Sequence, residues 1–201
     1  MKKGLLPFFI ALIVIFISCK KNSIKSQNAS LSGTWTLVSV SAQTQVISQY
    51  TNLGIVLTDI ASSEYTSSDN TGLVNFSNGT ATITNIGYTV STDVFYENYQ
   101  NKVLVDTFYA PFSKVFNPAN SSNPYQVITV DSMSYNGGGI VSPTNLPEGV
   151  SQAMVSGFKF NINGNSLTLT AHLNNTTSGN VSGMPATFNE SAIYTIKLSK
   201  Q

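Results

Sequence analysis

Residues 158–173 read FKFNINGNSLTLTAHL, and their apolar side chains fall at every second position on both sides of an Asn-Gly-Asn turn. Phe158, Phe160 and Ile162 share one face before the turn, and Leu167, Leu169, Ala171 and Leu173 share one face after it. A period of two with a turn at its centre commits the segment to a β-hairpin buried on one side. The same pattern recurs at Asn78-Gly79, with Phe76 before the turn and Ala81 and Ile83 after it. The C-terminal run 191–199 places Ala192, Tyr194, Ile196 and Leu198 on one face and Thr195 and Lys197 on the other. In the run 33–41 the apolar face switches between Leu37 and Val38, which predicts a β-bulge. Further strands are predicted near 88–96, 103–108 and 125–134. No window of twelve residues carries a 3.6-residue period, and a short helix around 150–155 is the one candidate.

Strands that are apolar on one side and Thr, Ser or Asn on the other close into a barrel or pack as two sheets. The expected fold is therefore all-β, an antiparallel up-and-down β-barrel of about eight strands, with a β-sandwich as the alternative. Two stretches rich in proline, glycine and asparagine, 116–124 and 136–149, read as loops framing one end. Composition agrees with a packed domain: 41% of the residues are hydrophobic and only 9% charged, the reverse of a disordered chain. There is no arginine, and ten lysines face nine acids. A nucleic-acid partner needs a basic stripe to neutralise phosphates, so that class is excluded.

The N-terminus reads MKKGLLPFFIALIVIFISC. Two lysines precede an uncharged apolar run of thirteen residues, from Leu5 to Ile17. That is the length of a signal-peptide core and short of the roughly 20 residues of a membrane span. The residues Phe16-Ile17-Ser18-Cys19 resemble the bacterial lipobox, which implies cleavage before Cys19 and acylation of its thiol. Residues 1–18 are then a lipoprotein signal peptide, and 19–30 the lipidated cysteine and a polar tether. Residues 31–201 form the β domain. Cys19 is the only cysteine, so no disulfide is expected in the mature chain. Without Lys2 and Lys3, 8 lysines oppose 9 acids, a formal charge of −1. No acidic run follows Cys19, which points to the periplasmic face of the outer membrane.

Gly33-Thr34-Trp35 after the tether, VNFSNGTATI at 74–83 and FNINGNSLTLT at 160–170 stand in a fixed order. Together they resemble the lipocalin-like domains of Bacteroidota lipoproteins, loosely from Leu31 to Lys200. The resemblance implies a barrel whose one end is closed by Trp35.

No reaction is spelled out. His172 is the only histidine, which excludes a multi-histidine metal site, and strand alternation puts it on a polar face. The acids are scattered singly, and Gly137-Gly138-Gly139 lacks the Lys-Ser/Thr of a phosphate loop. Glu97 between Tyr96 and Tyr99 is a composition found at carbohydrate or peptide contacts, and equally a strand end whose aromatics cover a rim. Asp131-Ser132-Met133 resembles a Bacteroidota O-glycosylation acceptor. The expectation is a monomeric, membrane-anchored envelope lipoprotein, not an enzyme and without cofactor or metal. Its barrel would bind a small apolar or amphiphilic ligand at residues the sequence does not name. The alternative is an interaction module with a filled core, contacting an envelope protein or glycan through its loops. An interdigitated set of Trp35, Phe76, Ile83, Phe160, Leu169, Tyr194 and Ile196 would favour that alternative.

Overall fold

A computed structural model describes residues 31–135 and 157–201. Nine antiparallel strands form one sheet. They are β1 (Gly33–Asn52), β2 (Ile55–Thr66), β3 (Ser68–Ser77), β4 (Thr80–Gln100), β5 (Val103–Thr129), β6 (Ser132–Tyr135), β7 (Gly157–Asn163), β8 (Ser166–Val181) and β9 (Met184–Lys200). Each strand pairs with its neighbours in a meander, and β9 returns to pair with β1. The sheet thus closes on itself as a barrel rather than splitting into two packed sheets.

Nine strands occupy eight positions around the ring, because β2 and β3 both lie between β1 and β4. The break between them is Ser67. Its backbone N–H donates to Val40 O and its Oγ accepts from Val40 N–H, both at 2.8 Å, so a side chain supplies one rung of the ladder. The Ser67 hydroxyl in turn donates to Asn70 Oδ1 at 2.6 Å. The bulge predicted in β1 is present: the register against β9 shifts between Leu37 and Ser39. Val38 is turned out, half exposed, while Leu37 and Val40 both stay buried.

Turn chemistry sets the hairpins. Asn78 and Gly79 both have positive φ, 49° and 75°, the two left-handed residues that a tight type I′ turn requires. Gly164 alone is left-handed in the two-residue turn between β7 and β8, which is the other favoured hairpin geometry. With the turns after β5 and the chain ends, these define the base of the barrel. The opposite rim carries the turns Leu53-Gly54, Asn101-Lys102 and Ser182-Gly183.

The base half is filled. Trp35 and Phe76 are fully buried there, and Tyr125, Met133, Tyr135 and Phe160 pack with them in one cluster. Trp35 seals the base: its Nε1–H donates to Leu31 O at 2.9 Å, and Lys200 Nζ lies 5.5 Å from the ring centre. Phe76 and Tyr125 meet edge to face at 5.2 Å. Trp35, Phe76, Ile83, Phe160, Leu169, Tyr194 and Ile196, whose interdigitation without a void would favour a filled core, are all buried in this cluster.

Toward the rim the geometry changes. β6 and β7 are short, four and seven residues, while β5 and β8 run on for 27 and 16. Among the described residues the rim half is therefore a six-stranded trough, β5-β4-β2-β1-β9-β8. One row of paired residues crosses all six strands: Tyr109, Phe95, Ser62, Gln45, Ser191 and Asn174.

Three expectations need correction. Residues 116–124 are not a loop but part of β5, paired with β4. Their prolines are tolerated because this stretch pairs on one edge only among the described residues. Asn120 Oδ1 accepts from Asn85 N–H at 2.7 Å where the register shifts. Residues 125–134 are not one strand: the chain turns at Val130-Asp131, and Thr129 Oγ1 bonds the Ser132 hydroxyl at 2.6 Å across the turn. The third concerns 88–96 and 103–108, which are pieces of two much longer strands, β4 and β5. The loop 136–149, the helix at 150–155, the signal peptide, Cys19 and the tether lie outside the described residues.

Candidate functional site

Alternation along β9 places Ala186, Phe188, Glu190, Ala192, Tyr194, Ile196 and Leu198 on one buried face. Glu190 is the exception in chemistry, a carboxyl group in an apolar row with its residue 6% exposed. Among the described residues its Oε2 has no hydrogen-bond partner, and neither has the hydroxyl of Tyr194, whose residue is 5% exposed. Buried polar groups are rarely left so. Burial pushes the Glu190 carboxyl up to about 7, because the charged form is desolvated. Burial also raises the Tyr194 hydroxyl above the usual phenol range, with Tyr65 and Glu190 adding to it.

Register explains what surrounds them. The row through Tyr194 runs Tyr65, Ala42, Tyr194, Ala171, and the row through Glu190 runs Phe108, Tyr96, Ala61, Val46, Glu190, Asn175. Between those two rows lies Ser63, Thr44, Ala192, Leu173, with the Thr44 and Ser63 hydroxyls 2.7 Å apart. On this wall Ala42, Thr44, Ala171 and Ala192 stand among Tyr65, Tyr194 and Leu173, and Ala42, Ala171, Ala192 and Tyr194 belong to the same buried cluster as the base. Burial raises the Tyr65 hydroxyl to about 12 and raises Tyr88 as well, helped by Tyr65 and Tyr194. The result is a carboxyl and several phenols around a floor of Ala and Thr, open to chemistry that pairs a hydrogen-bonding group with an apolar body.

The outer wall carries a second concavity. A groove of about 720 Å³ crosses the outward face of β4, β2, β1, β9 and β8, lined by Phe95, Glu64, Gln43, Gln45, Ile193 and His172 among others. His172 stands exposed on that face, where strand alternation put it. Gln43 Nε2 donates to Glu64 Oε1 at 3.3 Å, and Gln45 Nε2 to Ser62 Oγ at 3.4 Å. No serine hydroxyl or carboxylate among the described residues is bonded to His172, so the groove holds no nucleophile–base pair. Three potential metal ligands come together nowhere among the described residues.

Tyr96, Glu97 and Tyr99 sit at the rim end of β4. Tyr96 stacks on Phe108 at 4.8 Å, Phe95 lies against Tyr109 at 4.9 Å, and Tyr99 Oη donates to Glu97 Oε1 at 3.0 Å. They are rim aromatics held by each other. Asp131 and Ser132 occupy the turn after β5, with Met133 buried beneath. The structure brings none of these together with Glu190. Sequence reasoning passed over Glu190 because the last strand was started at Ser191. Extending its alternation one step toward the N-terminus would have put a carboxylate on the apolar face, a signal that can be read in the sequence.

No protein-family model matches the chain, and no curated protein or solved structure matches it either.

Proposed function

We propose that this is a lipid-anchored envelope protein, attached through Cys19, whose barrel binds a small apolar or amphiphilic ligand in its rim half. The lipobox-like residues 16–19 support the anchor, and the resemblance to lipocalin-like lipoproteins supports the carrier reading. The observation that carries it is a pair of buried polar atoms without partners among the described residues, Glu190 Oε2 and Tyr194 Oη, on an otherwise largely apolar inner face. An apolar ligand buried there gains roughly 25 cal/mol for each Å² of apolar surface removed from water. A few polar groups then fix its orientation. The tests are native mass spectrometry of the chain exported in the bacterial envelope and gently purified, and a panel of apolar fluorescent probes. An extra mass that is lost on denaturation supports the carrier; a bare mass and no probe binding refute it.

A second reading is an interaction module, supported by two observations. The base core is filled, and the rim turns carry exposed aliphatic residues, Leu53, Val103 and Leu104. It predicts a co-purifying envelope protein or glycan in place of a small molecule.

A further inference from the structure

We infer that the niche above Ala192 recognises an organic ammonium group, that is, a protonated amine carried on a small apolar body. The inference rests on the reading that the rim half of the barrel holds an amphiphile, and it assigns the chemistry of the head group. Glu190 and Tyr194 stand four residues apart on β9, about 13 Å along the strand, with only the methyl group of Ala192 between them on that face. The hydroxyls of Thr44 and Ser63 border the same niche from β1 and β2. Two polar atoms at its ends, Glu190 Oε2 and Tyr194 Oη, are buried without partners.

One ligand group satisfies this set best. An ammonium has several N–H donors and no acceptor. It can donate to Glu190 Oε2 and keep N–H donors for a neighbouring hydroxyl. Its charge compensates a carboxylate that is costly to bury alone, and the rings of Tyr65 and Tyr194 attract a cation as well. An alcohol leaves the carboxylate uncompensated, and a carboxylate ligand is repelled by it.

The charged and titratable groups on the inner face fit this assignment. β2 contributes Tyr65 and, nearer the rim, Asp59; β4 contributes Tyr88 and Tyr96; β1 and β8 oppose Glu190 with Val46 and Asn175. On β5, Asp106 lies toward the rim, and Lys114 is held with its Nζ 5.3 Å from the Phe116 ring centre. A bound cation favours the ionised carboxylate, so binding expels the proton from Glu190. With that group at about 7, the ionised fraction rises roughly tenfold between pH 6 and pH 8, and affinity follows it.

The test is isothermal titration calorimetry on the full chain in phosphatidylcholine nanodiscs, with empty discs as blank. The probes are n-hexylammonium, n-hexanol and hexanoate. The expected result is that hexylammonium binds at least tenfold tighter than the other two and gains about tenfold from pH 6 to pH 8. Glu190→Gln, which keeps the shape, removes both the preference and the pH slope, and Ala192→Phe blocks the niche. Equal binding of hexanol and hexylammonium, or an unchanged slope in Glu190→Gln, overturns the ammonium assignment. If Ala192→Phe still blocks hexanol in that case, the amphiphile-binding reading stands. No binding of any probe, with a bare native mass, removes both.

Discussion

Replacing Glu190 by Gln isolates the energetic consequence of a carboxyl group on the apolar face of β9. In the unfolded chain this group has its ordinary value of 4.5, and in the fold it is raised to about 7 by burial. Between those values the native state keeps a proton that the unfolded state releases. Its contribution is therefore fully present below about pH 4.5 and is lost as pH rises through about 7. Each tenfold change in proton affinity is worth about 1.4 kcal/mol, so the raised value corresponds to a penalty of at most about 3.5 kcal/mol above pH 7. Water at the mouth of the trough screens part of it, and roughly 1–3 kcal/mol is the span to be tested. Gln has nearly the same shape and stays neutral. At pH 5 the variant and the wild type should unfold at about the same urea concentration. At pH 8 the variant should be the more stable by that amount, which for a domain of this size is roughly 2–12 °C in Tm. The assay is a series of urea and thermal melts from pH 5 to pH 8, read as the difference between the two proteins so that other titrating groups cancel. Parallel pH profiles would show that Glu190 is solvated in the fold, and the reasoning about the inner wall would fail with it.

Other substitutions probe separate parts of the argument. Leu53 is 96% exposed and has a φ of +50° at the tip of the β1–β2 hairpin, so Leu53→Asn should stabilise by about 1 kcal/mol, seen as a raised Tm. Gly72 has a φ of +96°, and a Cβ there would collide with the backbone of Asn85 and Ile86; Gly72→Ala should cost more than about 2 kcal/mol in urea melts. Trp35→Phe removes the donor that meets Leu31 O at 2.9 Å and should cost about 2–3 kcal/mol by the same assay. For the anchor, Cys19→Ser should abolish incorporation of an alkyne-tagged fatty acid in cells; persistent labelling would place acylation elsewhere.

Much of the barrel was legible because its strands obey a local rule. Period-two alternation and Asn-Gly turns are properties of neighbouring residues, so the hairpins at Asn78-Gly79 and Gly164-Asn165, the face of β9 and the bulge at Val38 could be read directly. Residues 116–124 misled because proline and asparagine are read locally as turn formers. Their pairing with residues 80–88 is a long-range event that local propensity does not encode. Ser67 is similar: nothing near it in sequence announces that its hydroxyl will replace a ladder bond to Val40, 27 residues away.

The sequence alone therefore determined the all-β class, the positions of the clearest turns and which side of each strand is apolar, since all three follow from residue type and a two-residue period. Only the tertiary structure decided that β9 meets β1, that β2 and β3 share one place in the ring, and that Glu190 and Tyr194 are enclosed with Ala192 on the inner face. Those outcomes depend on strand register. A register joins residues more than a hundred positions apart, Ala42 beside Tyr194 and Thr44 beside Ala192, and it is fixed by the packing of the whole core. The unpaired carboxyl of Glu190 belongs to both levels. Its parity on β9 is written in the chain, but its isolation comes from the strands that enclose it.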